Sequence, residues 1–165
     1  MNGTILVVDD DRSVRESLSR ALQAEGYRII LAENGQTAIG KLEVERIDLL
    51  LLDLGLPVKD GWAMLDRLAE TEPLLPVVVI TGHWEQAMRA ASCRVDVLME
   101  KPLNVPALFQ IIRELLQEPH EARARRIHDH GPGFRHVPCD IKEFCEQLRK
   151  AYATPYPGCE TDGLE

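Results

Sequence analysis

Residues 47–62 read IDLLLLDLGLPVKDGW. Four consecutive leucines, Leu49 to Leu52, run into Asp53, and a Gly, a Pro and an Asp-Gly pair follow. A strand with one wet face alternates apolar and polar residues. A run that is apolar at every position is buried on both faces, as in a central strand of a parallel sheet covered by helices. The Gly/Pro cluster then breaks the strand into a loop. Asp53 is therefore expected at the carboxyl end of a central strand, the edge at which open α/β sheets bind ligands.

The rest of the chain repeats this rhythm. TILVV (4–8), YRIILA (27–32), VVVIT (77–81) and VDVLME (95–100) read as further strands. Helical spacings separate them. Val14, Leu18, Ala21 and Leu22 share one helical face, with Ser13 and Glu16 as a capping box and Gly26 at the end. Asn34 is suited to cap a helix running to about residue 44. Residues 61–70 place Met64, Leu65 and Leu68 inward, and 84–93 read as a short helix. Val105, Leu108, Phe109, Ile112, Leu115 and Leu116 form the inner stripe of a helix near residues 105–116. Five βα units predict an α/β fold: a doubly wound five-stranded parallel sheet of order 2-1-3-4-5, with right-handed crossovers.

Bulk properties fit this reading. The 165 residues carry a formal net charge of −8, which disfavours broad electrostatic binding to nucleic acid or an anionic membrane. No apolar run approaches a membrane span, and the N-terminus lacks the basic stretch of a signal peptide. Three of the four cysteines (Cys139, Cys145, Cys159) crowd the C-terminal end, which suits reduced thiols in the cytoplasm better than a disulfide scaffold.

In the predicted topology the strand ends carry Asp9 and Asp10, Asp53, Thr81, and Lys101 followed by Pro102. Two carboxylates ~5 Å apart repel by about 3 kcal/mol at an effective dielectric near 20. Lys101 can balance one charge and a divalent cation the rest. An all-oxygen, small site favours Mg²⁺ over Zn²⁺.

ILVVDD, LLLDLGLPVKDG, VVVITGH and EKPL, in this order and nearly at the family spacing, resemble the four motif blocks of the response-regulator receiver domain of two-component signalling. The resemblance covers residues 3–118 and implies a flavodoxin-like fold. It implies Asp53 as the phosphorylated nucleophile. Asp10, Asp53 and the carbonyl of Gly55 would bind Mg²⁺, with Asp9 holding the ion's water. Thr81 and Lys101 would each contact a phosphoryl oxygen, and a cis Lys101-Pro102 bond would be in keeping. The donor would be a sensor histidine kinase, a phosphotransfer protein or a small acyl phosphate. Such a domain is not otherwise an enzyme; it catalyses only its own phosphorylation and dephosphorylation.

Two features depart from the resemblance. Leu98 stands three residues before Lys101, where receivers usually carry Tyr or Phe, so the familiar ring movement has no ring. The interval from Thr81 to Lys101 is slightly short, which predicts a reduced helix or loop there. Gly82 leaves room beside Thr81 for a phosphoryl group. Gly55 and His83 occupy positions that influence water attack on the phosphoaspartate.

Residues 119–165 are expected to be a C-terminal extension. DIKEFCEQLRKAY (140–152) opens on a capping pair, Asp140 and Glu143, and carries an apolar stripe of Ile141, Phe144, Cys145, Leu148 and Tyr152. EARARR (121–126) reads as a solvated helix face, and the last twelve residues as a flexible end. His120, His128, His130, His136, Cys139 and Cys145 match no familiar zinc spacing. Without a recognisable output module, signalling is expected through contact with an unidentified downstream protein. That contact would use the surface of the helices at 84–93 and 105–116 and the strand at 95–100. Ile111, facing away from the inner stripe, is a candidate contact there, and helix 140–152 a candidate cover. Direct DNA binding and membrane association are not expected; a homodimer is open.

Two rival readings exist. VVDDDRS contains Asp-x-Asp-x-Ser and resembles the first motif of haloacid-dehalogenase-type phosphatases, with Asp9 as nucleophile and Asp11 as acid, but no late strand ends in the paired acids that such a site needs. A degenerate receiver, acting as a constitutive binding module, would explain Leu98 but not the intact Asp53, Thr81 and Lys101.

Overall fold

Thr4–Val8 (β1), Arg28–Ala32 (β2), Leu49–Asp53 (β3), Val77–Thr81 (β4) and Val97–Glu100 (β5) are the five strands that the apolar runs predict. They are seen in a computed structural model that describes residues 3–55, 60–82, 95–130 and 135–138. The helices are Arg12–Ala24 (α1), Gly35–Val44 (α2), Asp60–Thr71 (α3), Val105–Gln117 (α4) and His120–His130 (α5). The expected helices at 84–93 and 140–152, with His83, Trp84 and the cysteines of the tail, lie outside the described residues.

All strand pairings are parallel, and β1 sits between β2 and β3. The predicted order holds, but the sheet has six strands, not five: Arg135–Val137 (β6) adds to the outer edge of β5. Three residues have no readable period. The pairing is a tertiary event that satisfies the open edge of β5, and the Arg135 amide donates to Asp96 O at 2.8 Å.

Alternation along the strands divides the core into two layers. Leu6, Val8, Leu50, Leu52, Val77, Val79 and Leu98 face α2 and α3, meeting Ala38, Trp62, Met64, Leu65 and Leu68. Ile5, Val7, Leu49, Leu51, Val78, Ile80, Val97 and Met99 face α1 and α4, meeting Leu18, Leu22, Leu108, Ile111 and Ile112. Each fully buried leucine of β3 contributes roughly 1.5–3 kcal/mol of burial free energy.

Helix ends follow the expected chemistry with one shift. Asn34 Oδ1 accepts from the Thr37 amide at 2.8 Å, capping α2. Asn104 does the same for α4 through the Ala107 amide at 2.9 Å. The cap of α1 is Asp11, not Ser13: Asp11 Oδ1 accepts from Ser13 N at 2.7 Å and Val14 N at 3.3 Å. A carboxylate two residues earlier takes the orphan amides first, and Glu16 pairs instead with Arg12 at 2.7 Å. Gly26 follows α1 with a φ of 86°, a left-handed position that glycine adopts without strain.

Two expectations about the far end are corrected. Arg123 is not on a solvated face; it is 3% exposed. Its guanidinium donates to Leu74 O (2.6 Å), Leu75 O (3.0 Å) and Asp96 Oδ2 (2.7 Å), so α5 is bolted beneath the sheet. Ile111 is not an exposed contact either: it is buried in the α1/α4 layer, where Val137 of β6 packs against the same cluster.

Candidate functional site

Register brings the strand ends level. Val8 pairs with Leu52, so Asp9 lies beside Asp53; Asp53 pairs with Ile80, one residue before Thr81; Thr81 pairs with Glu100, one residue before Lys101. Segments from four strands thus deliver their polar residues to one rim, and the apolar runs before them fix the height of each.

Carboxylate oxygens of Asp9, Asp10 and Asp53 lie within 4.8 Å of one another. Asp9 and Asp53 are buried and Asp10 is exposed, so the cluster opens to solvent on the Asp10 side. Lys101 Nζ sits 2.5 Å from Asp53 Oδ2 and 3.6 Å from Asp9 Oδ2. Backbone amides hold the acids in place: Gly55 N–H donates to Asp53 Oδ1 at 2.7 Å and Asp11 N–H to Asp9 Oδ1 at 2.8 Å. Thr81 is fully buried, and its carbonyl accepts from the Lys101 amide at 2.9 Å. The Lys101-Pro102 bond is cis.

The electrostatics leave a surplus of negative charge. Burial pushes the Asp9 carboxyl up to about 6; the neighbouring Asp53 adds to this, against the Asp11 amide and Lys101, which pull it down. Burial also works against the Lys101 ammonium, but the hydrogen bond to Asp53 and the fields of Asp53 and Asp9 outweigh it, and its pKa rises. One ammonium among three carboxylates leaves two charges unbalanced. The donors are all oxygens, partly open to water, which fits Mg²⁺ retaining several waters. Among the described residues this is the one cluster of metal-capable side chains.

Asp9, Asp10, Asp53, Thr81 and Lys101 therefore come together as the sequence predicts, and Gly55 follows two residues after Asp53. A Cβ at Gly55 would stand 3.1 and 3.2 Å from the Asp53 carboxylate oxygens, so this glycine keeps the carboxylate uncrowded. Gly82 has open space around it: a Cβ there meets nothing within 4 Å. Sequence reasoning missed Arg15. Its guanidinium donates to Asp9 O at 2.6 Å and Asp10 O at 3.0 Å, clamping the turn that carries both acids. A helix residue one turn after an acidic strand end is the pattern that could have pointed to it. His136, unassigned in the sequence, lies 2.9 Å from Glu100 Oε1.

A doubly wound parallel sheet with this acid, hydroxyl and lysine rim defines a receiver-type signalling domain. Residues 5–113 match the response regulator receiver domain family, and the chain belongs to it. It is the receiver domain of a two-component response regulator. Among curated relatives, the response regulator MprA of Mycobacterium tuberculosis H37Rv is 36% identical over 136 residues, covering 78% of this chain and 59% of MprA. MprA of Mycobacterium ulcerans is 38% identical over 119 residues, covering 71% and 51%. The chain thus spans little more than half the length of these relatives. A CheY-like receiver domain protein from Methanospirillum hungatei superposes with a TM-score of 0.66 at 27% identity, over 75% of this chain and 98% of that one. TrrA from Thermotoga maritima, solved in complex with Mg(2+)-BeF, gives a TM-score of 0.64 at 30% identity, over 68% and 98%. The phosphatase reading finds no support in these relatives, and Asp11, its would-be acid, is committed to capping α1.

Proposed function

We propose that Asp53 accepts a phosphoryl group from a phosphohistidine on a sensor kinase or phosphotransfer protein, or from a small acyl phosphate. The observation that carries this reading is the Asp9/Asp10/Asp53 cluster with Lys101 lying against Asp53. An Asp53 carboxylate oxygen attacks phosphorus; the new P–O bond forms as the donor's P–N or P–O bond breaks. The imidazole, which takes up a proton, or the carboxylate then departs. In-line attack needs the nucleophile fixed, and the Gly55 amide and Lys101 fix it. As the phosphoryl group arrives, the Lys101 ammonium is the cation within reach of its oxygens, and Thr81 is the hydroxyl at the neighbouring strand end.

Asp10, Asp53 and the Gly55 carbonyl would hold Mg²⁺, with Asp9 placed to hold one of its waters. Bound there, the ion would neutralise charge on the transferring group. A related receiver, TrrA of Thermotoga maritima, is in complex with Mg(2+)-BeF, which supports extending this chemistry here. The domain works in the cytoplasm, and its output runs through contact with a downstream protein.

Intact-mass measurement after incubation with acetyl phosphate and Mg²⁺ tests the reading. One phosphoryl increment is expected in the wild type and none in Asp53→Asn or with chelator. An increment that survives Asp53→Asn would refute it.

A further inference from the structure

Residues 9–11 join β1 to α1 and carry two of the three clustered acids. Asp9 is buried, and its carboxylate accepts from the Asp11 amide at 2.8 Å. Asp10 stands on the solvent side of the cluster and is exposed. What aims its side chain is therefore a question of backbone. Arg15 answers it with a single nitrogen. Nη1 donates to Asp9 O at 2.6 Å and to Asp10 O at 3.0 Å. These two carbonyls belong to the peptide groups on either side of the Asp10 Cα. Each peptide group is planar, so holding both leaves the Asp10 φ and ψ little freedom. The direction of its Cα–Cβ bond is then set as well.

Arg15 is itself well placed to hold. It lies in the first turn of α1, where its own amide donates to Asp11 O at 3.0 Å, and the helix is seated on the core through Leu18 and Leu22. A carboxylate is available next to it, Glu16, but that residue pairs with Arg12 at 2.7 Å, while the half-buried Arg15 guanidinium is turned to the carbonyls. We propose that Arg15 is a positioning residue for the metal site, aiming the Asp10 carboxylate and so setting the affinity for Mg²⁺. This rests on the reading of Asp10 as a ligand of that ion. The proposal fixes the sign of an effect. A guanidinium beside a cation site repels the cation, so by its field alone Arg15 would weaken Mg²⁺ binding and its removal would tighten it. As a clamp it does the reverse.

Calorimetric titration of the metal-free full chain with Mg²⁺ tests this, with circular dichroism confirming that each variant is folded. Arg15→Ala is expected to bind Mg²⁺ roughly ten- to a hundred-fold more weakly than the wild type. Arg15→Met, which keeps the packing of the stem and loses the donors, should read the same and serves if the alanine variant does not fold. Arg12→Ala removes an equal charge from an exposed neighbour and should stay within about two-fold. In phosphorylation by acetyl phosphate, the half-saturating Mg²⁺ concentration of the Arg15 variants should rise by the calorimetric factor, while the rate at saturating Mg²⁺ stays within about two-fold. Unchanged or tighter Mg²⁺ binding in a folded Arg15 variant would overturn the proposal. So would equal weakening in Arg12→Ala, a fall in the saturating rate alone, or a wild type that binds no Mg²⁺. Weakened binding in the Arg15 variants, with no phosphoryl increment on the wild type, would uphold the clamp and overturn only the reading of Asp53 as acceptor.

Discussion

At the scale of single residues, the site is a problem of charge held out of water. Asp9 is 1% exposed beside a second buried carboxylate, and its pKa stands at about 6 against an ordinary 3.8. An acid whose folded value is raised adds no penalty below its unfolded value. The penalty grows as pH rises from about 3.8 to about 6, reaching some 2–3 kcal/mol above that range. Thermal unfolding with chelator present should thus show Asp9→Asn gaining stability over the wild type across this window. The gain should level off above pH 6 and shrink when Mg²⁺ is added. A difference that does not change with pH would contradict the assignment. The acids themselves were legible because each ends an apolar run; strand geometry does the rest. Arg15 was not legible, because a basic residue on an amphipathic helix reads as solvated until the turn it clamps is seen. Asp11 and Ser13 are both good caps two residues apart, and only the geometry chooses between them.

At the scale of elements, strands buried on both faces were easy to read and the last two elements were not. α5 carries five charged or histidine residues before its first aliphatic, Ile127, apart from two alanines, and nothing in that pattern predicts burial. What buries Arg123 is its fit to two carbonyls before β4 and to Asp96, itself the acceptor of the Val77 amide at 2.8 Å. Glu118 completes the cluster through Arg126, whose hydrogen bond holds its carboxyl below the usual range against the effect of burial. Removing one partner of such a network leaves the other buried and unpaired. Arg123→Ala is expected to cost about 3–5 kcal/mol, whereas Arg125→Ala, largely exposed, should stay within about 0.5 kcal/mol. Urea unfolding of the two variants distinguishes them; equal effects would mean that the network is not what anchors α5. Leu98 is fully buried in the α2/α3 layer and pairs in register with His136. It offers no ring to turn.

At the scale of the whole molecule, the βα rhythm in the sequence determined the order of five strands, while the sixth depends on where α5 delivers the chain. We propose that the folding unit runs past residue 118 to the end of β6. A chain ending at Glu118 should melt well below one ending at Pro138, since it loses the Arg123 network and uncovers the β5 edge. Equal melting temperatures would restore the boundary at 118. The central claim is that four strand ends converge on Asp53 to make one phosphoryl acceptor. Its most direct test is peptide mapping after phosphorylation in Mg²⁺ and borohydride reduction, which converts an aspartyl phosphate to homoserine. Homoserine at position 53, and not at 9, 10 or 11, is the predicted result; homoserine at Asp9, or at no aspartate of the rim, would contradict it.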